Sequence, residues 1–196
     1  MAEDNVWLVA GLGNPGPGYA GNRHNVGQMA LDELADQVGA RFSRHRTTTM
    51  LAEGRLRPGG PKLVLIKPMS YMNTSGGPVS SAAQYFGIPP ERTIVMHDDL
   101  DLPFETIRLK ADVGHGGQNG VRDIIKALGT PQFLRVRIGI GRPPGRQDPA
   151  DYVLKDFAAA ERSRLSIVLG DAADAVQDVI DDGLTAAQQR WHAPRA

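Results

Sequence analysis

Leu51-Ala52-Glu53-Gly54-Arg55-Leu56, Arg57-Pro58-Gly59-Gly60-Pro61 and Lys62-Leu63-Val64-Leu65-Ile66-Lys67 run on without a gap, and their reading decides the fold. The outer runs are apolar enough to be strands, and Pro58-Gly59-Gly60 between them is turn chemistry, so the stretch reads as a β-hairpin closed by Pro68. A hairpin pairs its strands antiparallel, whereas the alternation of strand and helix around it builds parallel pairs. Together they predict a single-domain three-layer α/β/α sandwich over residues 1–196, around a twisted mixed, mostly parallel sheet.

Working outward, Val6 to Ala10 reads as a short buried strand, and Val26 to Val38 carries Met29, Ala30, Leu34 and Val38 at helical spacing. A helix from about Ser75 to Phe86 ends in the turn Gly87-Ile88-Pro89-Pro90. Thr93 to His97 is another buried strand, Thr106 to Lys110 an edge strand, Val121 to Leu128 a helix and Val136 to Ile140 a strand. The last long helix, about Ala158 to Asp182, puts Leu165, Val168, Leu169, Ala172, Val176, Val179 and Ile180 on one stripe, with its acids toward water. Ala193-Pro194-Arg195-Ala196 reads as a frayed tail.

At 196 residues, 41% of them hydrophobic, the chain can bury one full core. Having no cysteine, it lacks disulfides, thiol nucleophiles and Cys-ligated zinc, which fits a reducing compartment; the cytoplasm is expected. The acidic start Met1-Ala2-Glu3-Asp4-Asn5 is unlike a secretory signal, and no apolar run is long enough to span a bilayer, so no membrane association is expected. With 22 basic against 22 acidic residues, indiscriminate coating of nucleic acid is disfavoured. The basic runs Arg41, Arg44, His45, Arg46 and Arg135, Arg137, Arg142, Arg146 read either as a phosphate-holding face or as solvated surface charge.

Ligands of such sheets bind beyond the carboxyl ends of the strands, where this chain has polar loops. Gly11-Leu12-Gly13-Asn14-Pro15-Gly16 matches a dinucleotide pattern only formally: Pro15 and Pro17 remove donors and no helix opens at once. It reads as a stiff turn presenting the Asn14 carboxamide, or as a turn alone. Asn73, in Met69-Ser70-Tyr71-Met72-Asn73, is a cleft residue or a helix cap; Ser75 lacks a nucleophile elbow. His24, within Asn22-Arg23-His24-Asn25, is the best-supported group for moving a proton near neutral pH.

Asp98, in His97-Asp98-Asp99-Leu100-Asp101, is expected to accept a hydrogen bond from His24, fixing its tautomer. Strand alternation puts His97 and Asp98 on opposite faces, which argues against a metal site built from His24, His115 and these carboxylates. Val113-Gly114-His115-Gly116-Gly117-Gln118-Asn119-Gly120 reads as an anion-holding loop before a helix, with Lys110 adding charge, or as a flexible connector.

Five of these stretches, in this order and spacing, resemble bacterial peptidyl-tRNA hydrolase: Gly11-Leu12-Gly13-Asn14-Pro15-Gly16; Tyr19 with Asn22-Arg23-His24-Asn25-Val26-Gly27; Lys67-Pro68 through Tyr71-Met72-Asn73; His97-Asp98-Asp99-Leu100-Asp101; and Arg135-Val136-Arg137-Ile138-Gly139-Ile140-Gly141. The likeness runs from about Val6 to the last helix. It implies a monomeric esterase, needing neither metal nor cofactor, that cleaves the bond between a peptide's carboxyl and the 3′ ribose of tRNA. It implies His24 as catalytic base and Asp98 as its orienting partner. Asn14, Asn73 and Asn119 become substrate-binding asparagines, Tyr19 and Met72 line the cleft, and Lys110 and Arg137 clamp tRNA phosphate. The chain departs from the family pattern at Gln118, where relatives usually carry histidine.

The residues and the resemblance converge on water attacking an ester, with His24 taking the proton, Asp98 steadying the imidazolium and carboxamides receiving the oxyanion. A helix start should lower the His24 pKa and Asp98 should raise it. Two rivals are a non-catalytic RNA-binding relative and a metal-dependent peptidase or amidase built on His97, Asp99, Asp101 and His115.

Overall fold

A computed structural model describes residues 5–193. Met1 to Asp4 of the acidic start and Pro194 to Ala196 of the tail lie outside the described residues. The strands are β1 Val6–Gly11, β2 Ser43–His45, β3 Thr49–Arg55, β4 Lys62–Pro68, β5 Thr93–Asp99, β6 Ile107–Ala111 and β7 Leu134–Gly139. The helices are α1 Val26–Val38, α2 Gly76–Phe86, α3 Asn119–Leu128, α4 Pro149–Val153, α5 Ala159–Asp182 and α6 Leu184–His192.

The strands form one seven-stranded sheet in the order β2-β3-β4-β1-β5-β7-β6. The four central strands, β4, β1, β5 and β7, run parallel. The hairpin expected from Pro58-Gly59-Gly60 pairs β3 with β4 antiparallel, Ala52 facing Leu65. Antiparallel pairing also joins β2 to β3 and β6 to β7, so the sheet is parallel at its centre and antiparallel at both flanks.

Period-two alternation splits the core in two. Val9, Leu63, Leu65, Ile94, Met96, Val136 and Ile138 pack against α1, α5 and α6. Leu8, Ala10, Val64, Ile66 and Val95 pack against α2 and α3. Strands buried on both faces read as continuous apolar runs, as Leu63-Val64-Leu65-Ile66 does. Each fully buried Leu, Ile or Val contributes about 1.5–3 kcal/mol, so the two clusters hold the layers in register.

The differences from the sequence reading lie where tertiary packing outweighs local pattern. β5 runs two residues past His97, which puts Asp98 inside the strand. The short β2, α4 and α6 carry too few periodic residues to stand out. Of the acids of α5, Asp181 faces water in a surface pair with Arg57 at 2.7 Å, whereas the half-buried Asp178 pairs with Arg190 at 2.7 Å and accepts from Trp191 Nε1 at 2.8 Å. Among the described residues no helix is long and apolar enough to cross a membrane.

Because β1, β4 and β5 are parallel, the loops after Gly11, Pro68 and Asp99 emerge along one edge of the sheet. α1 lies directly on β5, and a Cβ on Gly27 would sit 2.2 Å from the Met96 carbonyl oxygen. Only glycine permits that approach.

Candidate active site

His24 sits in a 3-10 turn, Arg23–Asn25, that leads straight into α1. The turn is tied to a distant part of the chain. Asn22 bridges to Asp156, its Nδ2 donating to Asp156 Oδ1 at 2.8 Å, and the Arg23 N–H donates to the Lys155 carbonyl. Arg23 is buried; its guanidinium lies 4.0 Å from the centre of the Tyr152 ring and pairs with Glu161 at 2.8 Å. A buried arginine is tolerated only when its charge is met, and here it staples the histidine turn to α4 and the start of α5.

Across the turn, Asp98 is buried at the end of β5, on the face that carries α1. His24 Nδ1 lies 2.8 Å from Asp98 Oδ2. A carboxylate only accepts, so Nδ1 carries the proton, and Nε2 is the acceptor left for the cleft. Burial is the largest influence on His24 and lowers its pKa, but the charge and hydrogen bond of Asp98 together outweigh it, leaving the pKa raised above 6.5. The lowering influence is thus desolvation, where the sequence suggested a helix start.

His97 points to the opposite sheet face, as alternation requires, and donates from Nδ1 to the Asp98 carbonyl at 2.8 Å. Burial, then the neighbouring Arg135, hold its pKa down at about 4. Asp99 pairs with Arg137 at 2.7 Å, Asp101 with Arg142 at 2.6 Å, and the His115 Nδ1 accepts the Gly117 N–H. The side chains of the metal-peptidase alternative are therefore spent separately. Among the described residues no three His, Asp or Glu groups converge as a metal site.

The cleft above His24 and Asp98 has a volume of about 610 Å³ and is lined by Asn14, Tyr71, Met72, Asn73, Gln118 and Asn119, with Val153 of α4 and Leu154 just after it among its other walls. Asn14 is held rigidly: its backbone N–H donates to Asn25 Oδ1 at 2.9 Å, its carbonyl accepts from Asn25 Nδ2 at 3.0 Å, and its Oδ1 accepts the Met72 N–H at 2.7 Å. The used Oδ1 leaves the Nδ2 donors for the cleft. Asn73 and Asn119 are exposed on its rim, and neither caps a helix through its side chain. Tyr19 meets the exposed Tyr71 edge to face at 6.2 Å.

Lys110 and Arg137 lie outside this lining, on β6 and β7. Register pairs Lys110 with Arg135 and Arg108 with Arg137, so the four cations share one sheet face. Arg135, expected among surface charges, is buried and donates to the Val113 and Gly114 carbonyls.

Sequence reading missed the stapling of the turn by Asp156, Tyr152 and Glu161, as well as the α4 wall. Nothing local marks residues whose partners are 129 to 138 positions away.

A profile described as Peptidyl-tRNA hydrolase matches residues 8–196. The peptidyl-tRNA hydrolase of Pseudarthrobacter chlorophenolicus is 58% identical over 187 residues, covering 95% of this chain and 95% of that protein. That of Leifsonia xyli subsp. xyli is 58% identical over 189 residues, covering 96% and 98%. A crystal structure of peptidyl-tRNA hydrolase from Acinetobacter baumannii superposes with a TM-score of 0.89 at 34% identity, over 97% of this chain and 96% of that one. Likeness at this level, over nearly the whole length and in both sequence and fold, means that the chain belongs to the peptidyl-tRNA hydrolase family.

Proposed function

We propose that this chain hydrolyses the ester bond of peptidyl-tRNA, with His24 drawing a proton from water as the water attacks the ester carbonyl. The observation that carries the reading is the 2.8 Å approach of His24 Nδ1 to Asp98 Oδ2 at the floor of the cleft. With Nδ1 protonated and held, Nε2 is the base, and Asp98 offsets the charge that the imidazole gains. The Asn14 Nδ2 donors, fixed by Asn25 and Met72, stand where developing oxyanion charge or a neighbouring peptide amide would be met. The tetrahedral adduct then collapses, the ribose oxygen leaves with the proton from His24, and peptide and tRNA separate.

The size of the cleft supports this division of labour. About 610 Å³ suits a drug-sized group, so it takes the terminal ribose and an aminoacyl or short peptidyl part. The body of the tRNA lies outside, along the basic face of β6 and β7, where Lys110 and Arg137 pair with phosphate without reading bases. Asn73, Asn119, Tyr19 and Met72 contact the substrate near the ester. The scheme asks for no group from a second chain, and we take the working unit to be a monomer of one domain. It works where peptidyl-tRNA is made, in the cytoplasm. The route needs water, an imidazole and hydrogen-bond donors, and neither metal nor cofactor.

The test is release of N-acetyl-amino acid from charged tRNA by the purified protein, with and without EDTA, beside His24→Ala. Turnover that survives EDTA and is lost in His24→Ala, with tRNA affinity kept, is expected. Undiminished hydrolysis by His24→Ala removes His24 from the mechanism.

A further inference from the structure

Gln118 closes the loop before α3, and its buried side chain works at both ends. Its Oε1 accepts the Val121 N–H at 2.9 Å, capping the helix. A carboxamide has one accepting and one donating end, so this use of Oε1 turns Nε2 toward β5. There Nε2 donates to Asp98 Oδ1 at 3.0 Å and lies 3.3 Å from Met72 Sδ. Flipping the amide would face oxygen to carboxylate and N–H to N–H, so the orientation is set by its partners.

Asp98 therefore has each oxygen held by a different side chain, Oδ2 by His24 and Oδ1 by Gln118. The last torsion of an aspartate is broad and roughly two-fold, so one hydrogen bond leaves its carboxylate free to swing. A second bond removes that freedom.

From this geometry we propose that Gln118 is a positioning residue for the hydrolysis: a neutral donor that clamps the Asp98 carboxylate at the rotation where its other oxygen meets His24 Nδ1. This rests on the reading of His24 as base. The clamp does not titrate, so it holds at every pH at which the fold stands. It also ties the catalytic pair to the first turn of α3, where Asn119 lines the cleft. The remaining charged residues of the lining are already paired, Asp99 with Arg137 and Asp101 with Arg142. Within the lining, His24 is the group that ordinarily titrates near neutral pH, so an ionisation seen there reports His24.

Gln118→Glu is the discriminating variant. It is isosteric and keeps an acceptor for Val121, and a carboxylate is favourable at a helix N-terminus, so the cap survives. With both carboxylates ionised, on the alkaline side of their shared proton, the donor toward Asp98 becomes an acceptor, so kcat is compared there. With N-acetyl-aminoacyl-tRNA as substrate, kcat is expected to fall on the order of 100-fold, as a misplaced catalytic group does. KM should change less than kcat, by about threefold or under, since Asn14, Asn73 and Asn119 of the lining keep their places. The acid limb of kcat/KM should rise by about one pH unit, because a second carboxylate near the imidazolium favours its charged form. Wild-type kcat with an unmoved acid limb would overturn the proposal and leave Gln118 a helix cap.

Gln118→His supplies the second reading, since it restores an N–H donor but makes the clamp ionisable. Its kcat at alkaline pH should stay within about threefold of the parent, with one further ionisation on the acid side. A profile of unchanged shape counts against the clamp. Turnover retained in His24→Ala defeats the mechanism itself, whereas loss there with no effect in Gln118→Glu defeats only the clamp.

Discussion

His24 Nδ1 and Asp98 Oδ2 lie 2.8 Å apart although 74 residues separate them in the chain. The pairing exists because the turn before α1 and the end of β5 meet at one edge of the sheet. Asp98→Asn keeps the shape and removes the charge. We expect kcat to fall on the order of 10²–10⁴-fold, because an amide no longer holds the imidazole in the right tautomer. The pH dependence has a definite sign. The base must be neutral, so activity is lost as pH falls through the His24 pKa, which lies above 6.5 in the parent. Without Asp98 only burial acts, and the acid limb of kcat/KM should move to lower pH. A limb that stays put would mean that Asp98 does not set the His24 ionisation.

Lys110 stands on the sheet face it shares with Arg108, Arg135 and Arg137, away from the cleft. Burial first, then the positive charges of Arg108, Lys110 and Arg137, lower the pKa of His192. Lys110→Ala should weaken tRNA affinity, and the slope of log affinity against log salt should shrink by about 0.7–0.9 for the single phosphate that is no longer neutralised. Hydrolysis of a minimal ester lacking the tRNA body should be unaffected. A salt slope equal to that of the parent would place the phosphate elsewhere.

Gly27 lets α1 lie on β5, and a methyl group there would meet the Met96 carbonyl oxygen at 2.2 Å. Gly27→Ala should destabilise the fold by about 1–3 kcal/mol or more, since backbone cannot turn aside as a side chain can. At ~2–4 °C per kcal/mol the loss is readable in a thermal melt. Turnover below the melting range should drop too, because the displacement separates His24 from Asp98. Unchanged melting and turnover would show that the helix can lift at no cost.

His97 is buried and neutral, with a folded pKa of about 4 against an ordinary 6.5. Between those values the unfolded chain binds the extra proton, so stability is fully present above 6.5 and is lost as pH falls toward about 4. The full loss is roughly 3 kcal/mol, from about 1.4 kcal/mol per pH unit. His97→Gln keeps a donor for the Asp98 carbonyl and cannot titrate. Urea unfolding at several pH values should then show a shallower acid-side fall, by about one proton. An unchanged slope would assign acid sensitivity to other groups.

The hairpin and the central strands were legible because their signals are local. Pro58-Gly59-Gly60 cannot continue a strand, and Leu63-Val64-Leu65-Ile66 has the unbroken apolar run of a strand buried on both faces. α1 matches Val26 to Val38 to the residue, since its apolar stripe lies within one stretch. α4 was not, because five residues give no period to detect. Alternation along β5 did foretell that His97 and Asp98 face opposite ways.

The reach of Gln118 could not be read in this manner. β6 runs antiparallel to β7, so Ala111 ends beside Leu134, at the start of β7, and the following loop must return across the sheet to bring Gln118 to Asp98. Arg135, read as a surface charge, is the buried group that holds this loop by its carbonyls. The sequence alone determined the kinds of element, the face each side chain would take, and the groups with suitable chemistry, since these depend on neighbours within a few positions. Which of those groups meet was decided by the tertiary structure. Pairings such as Arg23 with Glu161 and Asp98 with Gln118 come into being only when two apolar faces close on one sheet, and no local pattern encodes a partner held by a distant part of the same core.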